Sequence, residues 1–212
     1  GVWHAAGVLA DVMTLMLTDQ TLRFVYGPKA HGAWLLQQSC ASAPLGAFVL
    51  FSSTAALLGN QGQANYSAAN CCLDALALRR AARGSLAASV QFGPWADAGM
   101  ASDPTVSERL KAAGIGLISL QEGFKAFEAS LQPRGPGVVA VLIVRWSTFF
   151  KVSKSDGPFL RKYAAKFARK STGAVEAKKG PAKAISAEEV LDMLKQYTGN
   201  DVDADMPLMD SG

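Results

Sequence analysis

Cysteine, histidine and long apolar runs are scarce in this chain, and each shortage excludes a class of function. Three cysteines occur in 212 residues, Cys40 and the adjacent Cys71 and Cys72, with no C-x-x-C. With only His4 and His31 beside them, no metal site is expected. An odd count of thiols without regular spacing reads as reduced, mostly buried cysteines, which points to an intracellular setting. No apolar run is long enough to span a bilayer, so no transmembrane segment is expected. The opening G-V-W-H-A-A-G lacks the basic region and cleavage site of a signal peptide. It also lacks an initiator methionine and begins as though inside a strand, so the chain is expected to be a fragment of something longer.

Half of the residues are hydrophobic, enough for a sizeable core. The formal net charge of +4 hides an asymmetry. Between Lys151 and Lys183 ten Lys and Arg stand against Asp156 and Glu176. Residues 187–212 hold seven acids and only Lys195. The basic character therefore belongs to a middle segment, and three regions are expected: a main domain over 1–150, a basic linker over 151–186 and a further segment over 187–212.

Within 1–150, short apolar runs alternate with helical patterns. G-V-W-H-A-A-G predicts a strand entering a tight turn. Helical spacing runs from Leu15 to Cys40 with an interruption at Gly27-Pro28. A-F-V-L-F-S-S (47–53) suits a buried parallel strand. Tyr66 to Ala82 predicts a helix that stops at Arg83-Gly84. Strands are expected over 87–95 and 138–146, with helices over 107–113 and 120–131. This rhythm predicts an α/β fold, a partial Rossmann-like doubly wound parallel sheet covered on both faces. Phe159 to Phe167 reads as a short amphipathic helix, followed by a flexible linker over 169–184. A basic amphipathic stretch can bind nucleic acid or a membrane surface, but its composition favours a solvated interdomain segment, and no nucleic-acid partner is expected. Ser186 to Glu189 is a capping box that starts a helix ending near Tyr197.

The chemically specific stretch is F-V-L-F-S-S-T-A-A-L-L-G-N-Q-G-Q-A-N-Y-S-A-A-N, with Ser53 thirteen residues before Tyr66. A ketone resists hydride attack unless its developing alkoxide is stabilised or protonated. A tyrosine hydroxyl can supply the proton when a nearby cation lowers its pKa, and a serine hydroxyl can hold the carbonyl in line. Ser53, Tyr66, Lys29 and Asn70 form such a set, with Asn70 one helical turn beyond Tyr66. Taken singly, each has an ordinary reading. Ser53 can cap the turn after its strand. Tyr66 can be a half-buried packing residue. Asn70 can sit on a helix surface and Lys29 on the protein surface. His4 reads as a satisfied strand-end histidine.

Four ordered segments carry a resemblance. G-V-W-H-A-A-G-V-L-A-D, P-K-A-H-G-A-W-L-L, the serine-to-asparagine stretch continuing into C-C-L-D-A-L-A, and V-Q-F-G-P-W-A-D-A-G-M-A together resemble the ketoreductase domain of modular polyketide and animal-type fatty acid synthases. That family is a branch of the short-chain dehydrogenase/reductase superfamily. Its helix reads Y-x-x-x-N and its lysine comes from an earlier helix, whereas most of the superfamily has lysine at the position of Asn70. The resemblance covers residues 1–150. It implies that Tyr66 donates the proton, Ser53 anchors the carbonyl, and Lys29 and Asn70 serve as electrostatic and water-relay partners. It implies that Ala5, Ala6 and Gly7 pass close to NADPH, that Gly93, Pro94 and Trp95 flank its nicotinamide, and that Met100 begins a lid over the substrate. The family's Gly-rich phosphate loop is absent from the 212 residues and would precede Gly1, so the fragment alone is expected to be inactive.

Stereochemical markers are mixed. The family's L-D-D, which marks one hydroxyl configuration, is Leu9-Ala10-Asp11 here. Leu58 stands where the opposite class has tryptophan. Asp11 and Leu58 lean to the first class, whereas Asn65 is less usual there. Residues 187–212 resemble the start of an all-α acyl carrier domain, whose phosphopantetheine serine would lie beyond Gly212. The resemblance therefore implies a β-ketoacyl thioester on that carrier as substrate, with other synthase domains in the same polypeptide. The alternatives are a non-catalytic, structural reductase-like subdomain and a stand-alone short-chain reductase.

Overall fold

The computed structural model of the chain describes residues 1–96, 104–132, 135–153 and 159–168. A compact unit runs from Gly1 to Phe167. The expected helix at 187–197, the flexible linker over 169–184, and Met100 lie outside the described residues.

Four parallel strands form the central sheet, in the order β1 (Val2–His4), β2 (Phe48–Ser53), β3 (Ala87–Phe92) and β5 (Val138–Val141). The register pairs His4 with Leu50, Ser53 with Phe92, and Phe92 with Val141. Between β1 and β2 lie α1 (Asp19–Tyr26) and α2 (Gly32–Ser39); between β2 and β3 lie α3 (Ala55–Leu58) and α4 (Ala64–Ala81). After β3 come α5 (Pro104–Ala112), β4 (Ile115–Gly116) and α6 (Leu120–Ser130), and β5 is followed by β6 (Ile143–Val144), α7 (Trp146–Ser153) and α8 (Arg161–Ala168).

The period-2 alternation of β2 explains why the sheet is covered twice. Phe48 and Leu50 pack with Ala33 of α2 and Leu73, Leu76 and Ala77 of α4. Val49 and Phe51 face the other way, with Val90, Phe92, Trp95 and Phe127 of α6. The sheet is thus helix-covered on both faces, the doubly wound arrangement expected from sequence.

Three local expectations differ. The cysteines are free but not mostly buried: Cys71 and Cys72 are exposed on α4 and Cys40 is half-buried. Gly27-Pro28 does not break the helix. The chain widens instead into a π-type turn over Gly27–His31 that joins α1 to α2. Pro28 sits at the opening of that turn, where its missing N–H costs little. The run 138–146 is two strands: β5 belongs to the parallel sheet, whereas β6 pairs antiparallel with β4. Among the described residues no helix is long and apolar enough to cross a membrane.

Candidate functional site

The carboxyl ends of β1, β2 and β3 carry most of the expected site residues, where open α/β sheets place ligands. His4 ends β1 and leads into Ala5, Ala6 and Gly7, all exposed. Ser53 ends β2, and Gly93 follows β3. Tyr66 and Asn70 lie in the first two turns of α4.

Lys29 is the most unusual member. It stands in the widened turn and is 3% exposed. Its Nζ donates to the Phe51 carbonyl of β2 at 3.0 Å and lies 5.2 Å from the centre of the Tyr66 ring. Burial pulls its pKa from 10.5 down to about 8, and the Asp74 carboxylate acts in the opposite sense. His4 steadies the turn. Its buried Nε2 meets the Lys29 carbonyl at 3.0 Å, and because a carbonyl only accepts, Nε2 is the protonated nitrogen. Gly7 has a role in this packing too. A Cβ there would come within 2.9 Å of Lys29 Cε, so a side chain at position 7 would collide with the lysine.

Tyr66 is 8% exposed. Burial raises its pKa, while hydrogen-bonding interactions with the Asn70 and Ser53 side chains pull it back down. Ser53 Oγ accepts from the Ala55 N–H at 3.2 Å. The turn-capping role is therefore real, and it leaves the hydroxyl proton free for a second partner. Asn70 is wholly buried, not on a helix surface. Its Nδ2 donates to the Tyr66 carbonyl at 2.8 Å, and its Oδ1 is buried with no partner among the described residues. An unpartnered buried amide oxygen is costly, and it is suited to receive a water or a donor in a working site.

A second group holds the segment after β1 against the start of α4. Asn65, 1% exposed, donates from Nδ2 to the Ala10 carbonyl at 2.9 Å and accepts from the Tyr66 N–H at 2.8 Å. Gln63 Nε2 reaches both Asp11 oxygens, at 3.2 and 3.1 Å. The Val12 N–H bonds the Gly62 carbonyl at 2.8 Å. Gly62, at φ +74°, has the conformation that glycine favours. Asp11 and Asn65 therefore border the side of the site next to Tyr66. Leu58 closes the short α3.

Gly93, Pro94 and Trp95 extend β3. The Gly93 N–H bonds the Val141 carbonyl, Pro94 accepts from Ile118, and Ala96 donates to Ile118. The Trp95 ring packs on Phe92 with centroids 4.9 Å apart and fills the space above Gly123, where a Cβ would fall 2.1 Å from Trp95 Cη2. The indole thus anchors the loop to α6, leaving Gly93 and Pro94 as its small members.

Sequence reasoning missed Asp74, Ser89 and Gln91. Ser89 Oγ and Gln91 Nε2 donate to the two Asp74 oxygens at 2.6 and 2.7 Å, all buried. The available signal was the single acid of α4, one turn beyond Asn70.

The family profile described as "KR domain" matches residues 1–97. The phthioceranic/hydroxyphthioceranic acid synthase of Mycobacterium tuberculosis (strain ATCC 25618 / H37Rv) is 38% identical over 177 residues, covering 77% of this chain and 8% of the synthase. The polyketide synthase GfsB of Streptomyces halstedii is 42% identical over 145 residues, covering 66% of this chain and 3% of that protein. Among solved structures, the PlmKR1 ketoreductase from the first module of phoslactomycin biosynthesis in Streptomyces sp. HK803 matches with a TM-score of 0.70 at 34% identity, covering 76% of this chain and 37% of that one. The chain thus spans less than a tenth of these curated relatives. With the parallel sheet, the matched profile and these likenesses in agreement, the chain belongs to the ketoreductase domains of modular polyketide synthases.

Proposed function

We propose that this chain is the catalytic half of a ketoreductase that reduces a β-ketoacyl thioester to a β-hydroxyacyl thioester, the thioester being carried by the phosphopantetheine arm of an acyl carrier domain in the same synthase. The observation that supports this most is the buried Lys29 ammonium 5.2 Å from the Tyr66 ring, with Ser53 and Asn70 acting on the tyrosine hydroxyl. The residues fit a nicotinamide cofactor. Ala5 to Gly7 are small and exposed, Gly93 and Pro94 follow β3, and the free Asn70 Oδ1 awaits a donor.

NADPH, when bound, supplies the hydride. Ser53 holds the substrate carbonyl through its free hydroxyl proton. As negative charge develops on that oxygen, Tyr66 delivers its proton. The Lys29 charge favours the phenolate that remains, and Asn70 anchors a water through which Tyr66 regains a proton. The 187–212 segment, as a carrier start, would bring the thioester into reach.

Tyr66→Phe in the full-length synthase tests this reading. We expect at least about a hundredfold loss of reduction, with the β-keto product accumulating. Retained reduction would favour the structural-subdomain alternative and refute the mechanism.

A further inference from the structure

A cavity of about 460 Å³ opens at the end of the sheet away from Tyr66. Leu45 and Leu86, which line it, precede β2 and β3. It therefore lies at the amino ends of these strands, whereas a cofactor of an open α/β sheet takes the carboxyl ends. Tyr66 is in the first turn of α4, and Arg79 and Arg80 are in its last. At the helical rise of about 1.5 Å per residue, the two ends are about 20 Å apart.

Arg79, Arg80 and Arg83 line the cavity, and no Asp or Glu does. Two of the guanidiniums are held by rings: Arg79 lies 5.7 Å from the centre of the Trp34 ring, and Arg80 lies 4.2 Å from that of Phe48. Arg80 Nη1 donates to Gln37 Oε1, and its Nε is buried with no partner. Among the described residues no carboxylate pairs with any of the three.

Arginines near a helix C-terminus ordinarily complement its dipole and bond its last carbonyls. Here the backbone already closes that end. The Ala82, Arg83 and Gly84 N–H groups donate to the Leu78, Arg80 and Ala81 carbonyls, and the Ser85 N–H also reaches Arg80. The guanidiniums are not needed as caps, and the rings fix two of them in place. Fork-shaped donors held without a counter-charge are suited to grip an oxyanion through paired hydrogen bonds. The volume is within the range of about 300–1,000 Å³ usual for small-molecule sites.

We propose that this cleft binds a compact multivalent oxyanion, a phosphate- or carboxylate-bearing small molecule, away from the reduction site. Its occupancy does not depend on the role of Tyr66.

Arginine labelling by phenylglyoxal, read residue by residue by peptide mass spectrometry on the full-length synthase, tests this. The probes are inorganic pyrophosphate and citrate, each at about 2 mM and matched in ionic strength with potassium chloride. At least one probe should slow labelling of Arg79 and Arg83 about threefold or more. The exposed Arg109 of α5 and Arg161 of α8 should label as before. Protection by pyrophosphate alone assigns a phosphate ligand, by citrate alone a carboxylate, and by both a site that reads the charge of either. Gln37→Glu, nearly the same size, gives Arg80 the carboxylate it lacks and should abolish the protection. Arg83→Gln, an exposed change that leaves Arg80 in place, should cut protection of Arg79 by about half or more. No protection by either probe, equal protection at Arg109 and Arg161, or protection undiminished in both variants overturns the proposal.

Discussion

Replacing Lys29 with methionine should stabilise the protein at neutral pH, and the gain should vanish in alkali. Lys29 is 3% exposed, and burial lowers its pKa from 10.5 to about 8. That difference corresponds to about 3 kcal/mol of destabilisation while the amine is charged in both folded and unfolded chains. Methionine fills the volume of the aliphatic stem without the charge. It leaves the Phe51 carbonyl without the Nζ donor, a loss of about 1 kcal/mol. The net expected gain for Lys29→Met is therefore about 2 kcal/mol at pH 7. The pH dependence follows from the depressed folded pKa. Below pH 8 the cost is present in full. Between about 8 and 10.5 the unfolded chain holds the proton and the folded chain does not, so the wild type gains stability as pH rises. By pH 10 the two proteins should be within about 1 kcal/mol of each other. Urea unfolding followed by tryptophan fluorescence, run on both at pH 7 and pH 10, measures this. A variant less stable than the parent at pH 7, or an advantage of equal size at both pH values, would show that Lys29 is not held as a desolvated charge and would refute the reasoning.

Two further outcomes test the frame around the site. Gly123→Ala puts a Cβ against the Trp95 indole, where only 2.1 Å is available; a loss of about 1–3 kcal/mol in unfolding free energy is expected, and a loss below about 0.5 kcal/mol would show that Trp95 is free to move. His4 has a lowered pKa, chiefly from burial, with the Lys29 charge adding to it. The folded chain therefore binds fewer protons than the unfolded one as pH falls below 6.5, and stability is lost on acidification. His4→Gln, which keeps an N–H donor for the Lys29 carbonyl, should flatten that loss between pH 7 and pH 5 in urea midpoints; an identical loss in both proteins would assign it to other groups.

The sheet and the reactive stretch were readable because their signals are local. Val49-Leu50-Phe51 is an apolar run with a serine at its end, and Tyr66 and Asn70 share a helix face by spacing alone. Lys29 enters the set as a candidate cation, but nothing in G-P-K-A-H distinguishes a buried lysine from a surface one. The turn at Gly27–His31 was read as a break because Gly-Pro ordinarily stops a helix, and a widened turn has no separate sequence signature. The run from Val138 to Trp146 shows no alternation, so periodicity could not say where it leaves one sheet for another. The Asp74–Ser89–Gln91 bridge joins residues fifteen and seventeen apart in sequence, and only the fold brings them together. Ser119 to Glu122 is a full capping box at the start of α6. It obeys the same S-x-x-E rule that located the helix after Ser186, so this signal was available and passed over.

The energetics of the site bear on the choice between a catalyst and a scaffold. A subdomain retained only to hold its neighbours in place gains nothing from a desolvated ammonium. Removing it is expected to raise stability by about 2 kcal/mol at pH 7. The same holds for Asn70, whose buried Oδ1 has no partner among the described residues; an unsatisfied group of that kind costs about 1–3 kcal/mol. Leucine, nearly the same size, would remove that cost while giving up the bond to the Tyr66 carbonyl, which helix geometry already satisfies by another route. Both costs lie beside Tyr66: Lys29 Nζ is 5.2 Å from its ring centre, and Asn70 follows it one turn later on α4. Ser67 Oγ and Arg80 Nε are also buried without a partner among the described residues, whereas Asp74 has two donors, Asn65 has a donor and an acceptor, and His4 has the Lys29 carbonyl. A desolvated ammonium and an unpartnered amide oxygen on the two sides of one tyrosine suit a proton-transfer site, and a scaffold has no reason to tolerate the charge.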